Sequence, residues 1–228
     1  MTIDLNCDLG EGEPLSRTEV LMQAITSCNV ACGGHAGDER SMRETVELAR
    51  RYGVTVGAHP SFADRENFGR KIHPLDARGL RSLLTEQVNS LCRVGGPLHH
   101  IKLHGALYNL VERNAGLAGV YAAWVRENFP GIPLIALDGG AVSKQPGIRV
   151  AREFFADRAY NDDGTLVPRE QPGAVLQDVA TICERTVRAV KDGRAETICI
   201  HGDTPAALQI ARQLRRALQE AGIEVRAF

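Results

Sequence analysis

Hydrophobic and polar positions along this chain follow two periods that take turns. Short apolar runs rich in Val, Ile and Leu occupy residues 2–7, 27–32, 54–58, 100–103, 133–137, 148–152, 197–200 and 224–227. Their length and composition predict strands. Amphipathic stretches lie between them. Met42, Val46 and Ala49 share one helical face, with Asp38 or Ser41 as N-cap and Gly53 as the stop. Leu80, Leu84, Val88 and Leu91 form a second stripe behind the N-cap Asp76, and Leu117, Val120, Tyr121, Trp124 and Phe129 form a third. A last helix over 205–221 starts with Thr204 as cap and Pro205 at the first helical position. Strand and helix repeated seven or eight times predict a parallel sheet, either open and doubly wound or closed into a barrel. No linker or low-complexity tract interrupts it, so residues 1–228 read as one domain.

Composition narrows the possibilities. A chain of 228 residues can bury roughly 70% of its unfolded surface. A net charge of −1, with charges scattered, offers no field for nucleic acid or an anionic membrane. No apolar stretch approaches the ~20 residues of a membrane span. The opening MTIDLNCDLGEGE is acidic and lacks the apolar core of a signal peptide, which makes the cytoplasm the expected compartment. Six cysteines form no CxxC pair and no zinc-finger spacing. Cys28, Cys32, Cys183 and Cys199 lie in apolar runs and read as small buried hydrophobes. Gly10 and Gly12 suggest a dinucleotide loop, but Leu15 stands where its third glycine belongs, and no GxxxxGK[ST] follows.

Polar residues gather where the predicted strands end. The first ends with Asn6 and Asp8, the second with His35 and Asp38, the third with His59, the fourth with Lys102 and His104, the seventh with His201 and Asp203. Residues two apart on a strand share a face, which pairs Asn6 with Asp8 and Lys102 with His104. A lone histidine at a strand end usually satisfies a local hydrogen bond; five such ends together indicate a site at the C-terminal mouth. Asp8 and His104 are expected there in contact with water. His73 reads as loop, His99 as the far end of the barrel, and Asp38 as a helix cap.

The segments DLNCDLGE, NVACGGHAGD, GAHPSFAD, FGRK, KLHGALYN, FADRAYNDDGTLVPREQPGAV and ICIHGDTPAAL, in this order, closely resemble the LamB/YcsF family, the A subunits of 5-oxoprolinase. The resemblance implies a (β/α) barrel with about seven parallel strands, of the glycoside hydrolase/deacetylase kind. It also implies ATP-dependent opening of the 5-oxoproline lactam to glutamate with B and C subunits as partners. The chain departs from the family's usual pattern at Gly34, where Phe is common, at Leu103 for Pro, and at Ser61, Phe62 and Ala63, which replace Gly, Tyr and Pro.

Opening an activated lactam requires a placed water, proton transfer and stabilisation of developing negative charge. Asp8 and Asp203 are candidate general bases, and His59, His104 and His201 candidate proton carriers. Lys102 is a point charge for an oxyanion or phosphate. Asn6, His35 and His59 are expected to line the substrate site. Arg158 and Arg169 suit a carboxylate or phosphate, or else anchor their loop to Asp157 or Asp162. Asp8, His59, His104 and His201 also have the donor types of a divalent metal site, such as deacetylases of the resembled superfamily use. Three functions follow: the hydrolase subunit, a stand-alone metal-dependent amidase or deacetylase, and a non-catalytic scaffold for the B and C subunits.

Overall fold

The computed structural model describes residues 1–95, 97–202, 204 and 206–228. Its elements are β1 (Thr2–Leu9), α1 (Leu15–Met22), β2 (Ser27–Ala31), α2 (Glu39–Tyr52), β3 (Thr55–His59), α3 (Ala77–Val94), β4 (His100–Lys102) and α4 (Gly105–Glu112). They continue with α5 (Ala115–Asn128), β5 (Leu134–Leu137), β6 (Val150–Phe155), α6 (Val179–Lys191), β7 (Thr197–His201), α7 (Ala207–Glu220) and β8 (Glu224–Val225). Each strand pairs in parallel with its neighbour from β2 to β7, and β1 pairs with both β7 and β2. The sheet is therefore a closed seven-stranded barrel and not an open one. The short β8 adds to β1 at Thr2 and Ile3.

Local chemistry explains the helix ends. Asp38 accepts from the Ser41 backbone N–H at 2.8 Å while the Ser41 hydroxyl accepts from the Asp38 N–H at 2.8 Å, so both predicted caps of α2 act at once. Gly53 closes that helix at φ 67°, a left-handed conformation. Asp76 caps α3 through the Gly79 N–H. The last helix differs from expectation. It begins at Ala207, and the Thr204 hydroxyl donates to Asp157 instead of capping it; Pro205 lies outside the described residues. His99 sits at the N-terminal end of the barrel, 3.1 Å from the Phe228 carbonyl, and His73 lies in a loop beside Asp64.

The strands are buried on both faces, and the inward face is polar. Ile3, Leu5, Cys7 and Leu9 of β1 belong to the apolar core. Asp4, Asn6 and Asp8 alternate with them and bond across the ring. Asp4 accepts from Thr26 and Ser27, Asn6 donates to Thr197 at 2.7 Å, and Asn29 donates to Asn6 at 2.8 Å. Such barrels more often pack branched apolar residues inside, and buried polar groups are tolerated only when hydrogen-bonded. Gly57 makes room for one of them: a Cβ there would lie 2.0 Å from the His100 imidazole.

Glu112 ends α4 against the loop after β5, accepting from the Leu137 and Val142 N–H groups at 3.1 and 3.3 Å. Burial raises its carboxyl from 4.5 to about 7, and the two N–H groups offset only part of that. The unfolded chain therefore releases this proton more readily. The stability the protonated form contributes is complete below pH ~4.5 and is lost as pH rises through about 7. The loss is on the order of 3 kcal/mol at most. Wild type should lose more melting temperature than Glu112→Gln between pH 5 and pH 8; parallel curves for the two proteins across that range would contradict this.

Candidate active site

A cavity of about 220 Å³ opens at the C-terminal mouth, lined by Asp8, His59, Lys102, His104, Arg158, Arg169 and His201 among others. The mouth thus gathers residues that lie far apart in the chain.

Asp8 is not at the surface as expected. β1 runs on to Leu9, which draws Asp8 inside the barrel at 3% exposure. Its Oδ1 accepts from Lys102 Nζ at 3.0 Å and from Asn29 at 2.7 Å, and its Oδ2 lies 3.4 Å from His59 Nε2. Burial raises this carboxyl, but His59 and Lys102 beside it outweigh burial and hold it well below the usual carboxylate range. Lys102 is itself buried between Asp8 and Glu153, whose Oε1 is 2.8 Å from Nζ. Burial opposes the ammonium, and Asp8, Cys199 and Glu153 overcome it, so its pKa stands well above the ordinary value. The charge expected to meet a substrate is already matched inside the protein. Cys199 is no simple hydrophobe either, since its Sγ lies 3.0 Å from Lys102 Nζ. Asn6 sits fully buried within the interior network.

Four residues from different segments form a second group: Glu11 after β1, His35 after β2, His59 at the end of β3 and His104 after β4. The Gly10 and Glu11 N–H groups both donate to the Glu13 carboxylate at 2.8 Å, which shapes the turn that presents Glu11. His59 Nδ1 donates to the Lys102 carbonyl at 2.9 Å, and His104 Nε2 donates to the Phe68 carbonyl at 3.0 Å. His35 stacks on His104 with ring centroids 3.7 Å apart, and its Nε2 meets Glu11 Oε1 at 2.8 Å. His35 supports the cluster from behind and is absent from the cavity wall. Burial and then His59 push His35 down to about 3. Burial, His35 and His59 likewise hold His104 well below the ordinary value.

Two backbone details serve this group. Phe68 has φ 54°, the one non-glycine in the left-handed region among the described residues. Such strain costs about 1–3 kcal/mol and persists where surroundings enforce it. Here it aims the Phe68 carbonyl at His104. The departures at Gly34 and Ser61 prove to be linked. A Cβ at residue 34 would lie 2.4 Å from Ser61 Oγ and 2.6 Å from Gln87 Oε1. The volume left by the missing side chain is filled by the serine, whose hydroxyl reaches His35 Nδ1 at 2.8 Å.

On the far side of Asp8, its strand partner His201 places Nδ1 2.8 and 3.0 Å from the two carboxylate oxygens of Asp157. Burial raises Asp157, and His201 outweighs it, so the carboxyl falls below its ordinary value. Nδ1 therefore carries a proton that faces Asp157, which leaves Nε2 turned away from it. Arg185 of α6 donates to the Ala156 and Arg158 carbonyls at 2.9 and 2.7 Å, fixing the backbone that holds Asp157. Arg158 lines the cavity, but two of its donors go to the Ala174 and Val167 carbonyls, so it also anchors its loop. Arg169 lies on the same wall. Asp203 is outside the described residues.

The structure regroups the expected metal ligands. Asp8, His59, His104 and His201 do not converge on one point; the donor atoms fall into Glu11–His35–His59–His104 and Asp8–Cys199–His201. Sequence reasoning passed over Glu11 and Glu153 and gave Asp157 only as an anchor for the loop arginines. Glu11 lay in view as the last residue of DLNCDLGE. The roles of the other two were hidden by ending the sixth strand at 152, whereas β6 runs to Phe155.

A parallel barrel whose strand ends carry histidines and carboxylates around a cavity belongs to the enzyme class of (β/α) barrels. No helix among the described residues is long and apolar enough to cross a membrane. The chain belongs to the LamB/YcsF family, whose model matches residues 3–228. The 5-oxoprolinase A subunit of Pyrococcus abyssi is 42% identical, with 99% of this chain and 97% of that protein covered. The second of the 5-oxoprolinase A subunits of Bradyrhizobium diazoefficiens is 43% identical, with 100% and 98% covered. The crystal structure of a lactam utilization protein from Thermus thermophilus superposes with a TM-score of 0.91 at 37% identity, covering 100% of both chains. A family 4 carbohydrate esterase from Streptomyces lividans shares the fold at a TM-score of 0.55 and 14% identity, covering 98% of this chain and 91% of that one.

Proposed function

We propose that this chain is the A component of an ATP-dependent 5-oxoprolinase, a hydrolase that opens the lactam to L-glutamate together with B and C subunits. The observation that carries the reading is His201, oriented by buried Asp157 beside Asp8 on the wall of a small polar cavity. The full-length likeness to proteins named for this reaction supports it.

Opening the ring adds a water oxygen to the carbonyl carbon, breaks the C–N bond and leaves nitrogen in need of a proton. His201 Nε2 takes the proton from water and returns it to the ring nitrogen as the bond breaks. The Asp8 carboxylate orients that water, and Lys102 positions Asp8. Arg169 and the remaining donors of Arg158 suit the substrate carboxylate. ATP phosphorylates the amide oxygen, so C–N cleavage after this first water leaves an acyl phosphate, and a second water releases phosphate from it to give glutamate, with ADP and phosphate as by-products. The sequence has no GxxxxGK[ST] loop, so phosphorylation falls to the partners. A divalent cation completes the reading. The histidine cluster has the donor types to hold one, and when bound it would supply Lewis-acid activation of a carbonyl or water.

The test is glutamate formation from 5-oxoproline and ATP with B- and C-type subunits present. No glutamate from the full set would refute the reading. The chain alone should leave ATP intact, and robust ATP turnover by it would end the division of labour. The histidine cluster favours a second reading, a stand-alone metal-dependent amidase. Chelator-sensitive amide hydrolysis by the isolated chain would establish that one instead.

A further inference from the structure

We infer that Glu11, His59 and His104 form a binding site for one divalent cation of the zinc class, open toward the cavity. The inference deepens the proposed function and rests on that reading only for what the ion would do.

The tautomers lead to it. A carbonyl oxygen can only accept, so His59 carries its proton on Nδ1, facing Lys102 O, and His104 carries its proton on Nε2, facing Phe68 O. In the neutral rings the nitrogens left over, His59 Nε2 and His104 Nδ1, are lone-pair atoms only 3.0 Å apart. Glu11 Oε1 lies 3.6 Å from His104 Nδ1 and 3.9 Å from His59 Nε2, and it too only accepts. Two imidazole lone pairs therefore face each other beside a carboxylate oxygen that also accepts from His35, and a single cation can take all three as ligands.

The spacing suits a metal. Ligands about 2.0–2.1 Å from a tetrahedral zinc stand about 3.3 Å from one another, close to the 3.0, 3.6 and 3.9 Å found. Each donor has an outer partner that fixes it, as ligands to metals do. Lys102 O and Phe68 O fix the two imidazoles. His35 donates Nε2–H to Glu11 while its Nδ1 receives the Ser61 hydroxyl. His59 and His104 border the cavity and His35 does not, which places the unfilled side toward a substrate.

The whole chain, dialysed free of metal, is titrated with Co²⁺ and Zn²⁺ by calorimetry, and the cobalt absorption band is recorded. One ion per chain is expected. Glu11→Gln and His104→Gln should weaken binding at least ~10-fold, and Ser61→Ala about 10-fold through His35 and Glu11. His201→Gln should bind as wild type. The site is refuted if wild type takes up neither ion, or if ¹⁵N shifts of His59 and His104 show a shared proton that zinc does not displace. Equal weakening by His201→Gln would also overturn it. These wild-type readings decide the matter even where a variant fails to fold. A chain that binds cobalt but opens no lactam keeps the site and loses the proposed activity.

Discussion

Asp157→Asn is expected to cut glutamate formation by the reconstituted enzyme about 10²–10⁴-fold while the chain stays folded. Asp157 is fully buried and grips His201 Nδ1 with both oxygens. Asparagine has the same shape, but its amide turns a donor where the imidazole also donates. The ring then flips its proton to Nε2, the atom that must be bare to accept one from water. Circular dichroism and a melt within a few degrees of wild type should accompany the loss. His201→Gln should be as severe, and the double variant little worse than either, because both act on one proton path. Wild-type rates in Asp157→Asn would relegate the pair to structure and favour the scaffold reading.

Lys102→Met should be the most destabilising of the mouth substitutions, by about 3–5 kcal/mol. The side chain is one atom shorter and uncharged, and it leaves Asp8 and Glu153 facing one another unmatched inside the barrel. For a chain of this size that corresponds to a melting temperature lower by roughly 10 °C. A solvent-facing lysine that merely met substrate would change the melt by little. Urea unfolding midpoints of the two proteins measure the difference, and coincident midpoints would show that the charge is not structural.

Much of this was legible in the residues. All eight strands begin within the apolar runs, because parallel barrel strands are buried on both faces and show near-continuous hydrophobic stretches. The caps Asp38, Ser41 and Asp76 could be read because capping is local. Polar positions at strand ends do line the cavity at the mouth. Depth was not legible. Asp8 and Lys102 reach inward to each other across 94 residues of chain, and nothing local distinguishes that from a pair facing water. The role of Asp157 escaped because strand ends are set by partners: β6 pairs with β7 as far as Phe155. The short helices α1 and α4 gave no stripe long enough to register. Membership of the cation cluster depended on the ends of β1, β3 and β4 meeting, which spacing along the chain does not encode.

The exchange at residues 34 and 61 bears on how such a site changes over generations. A phenylalanine at position 34 collides with Ser61 and Gln87, whereas a glycine at position 61 merely leaves His35 without its hydroxyl. One order of substitution is open and the other closed. A lineage passing between the phenylalanine–glycine pair and the glycine–serine pair must travel through the double glycine, in either direction. The two positions should therefore show strong epistasis: Gly34→Phe alone should disrupt the fold near His35, and Ser61→Gly should rescue much of that loss once Gln87 swings aside. Swapping relatives' residues into this chain one at a time would misjudge both, since each is neutral or harmful only by reference to the other.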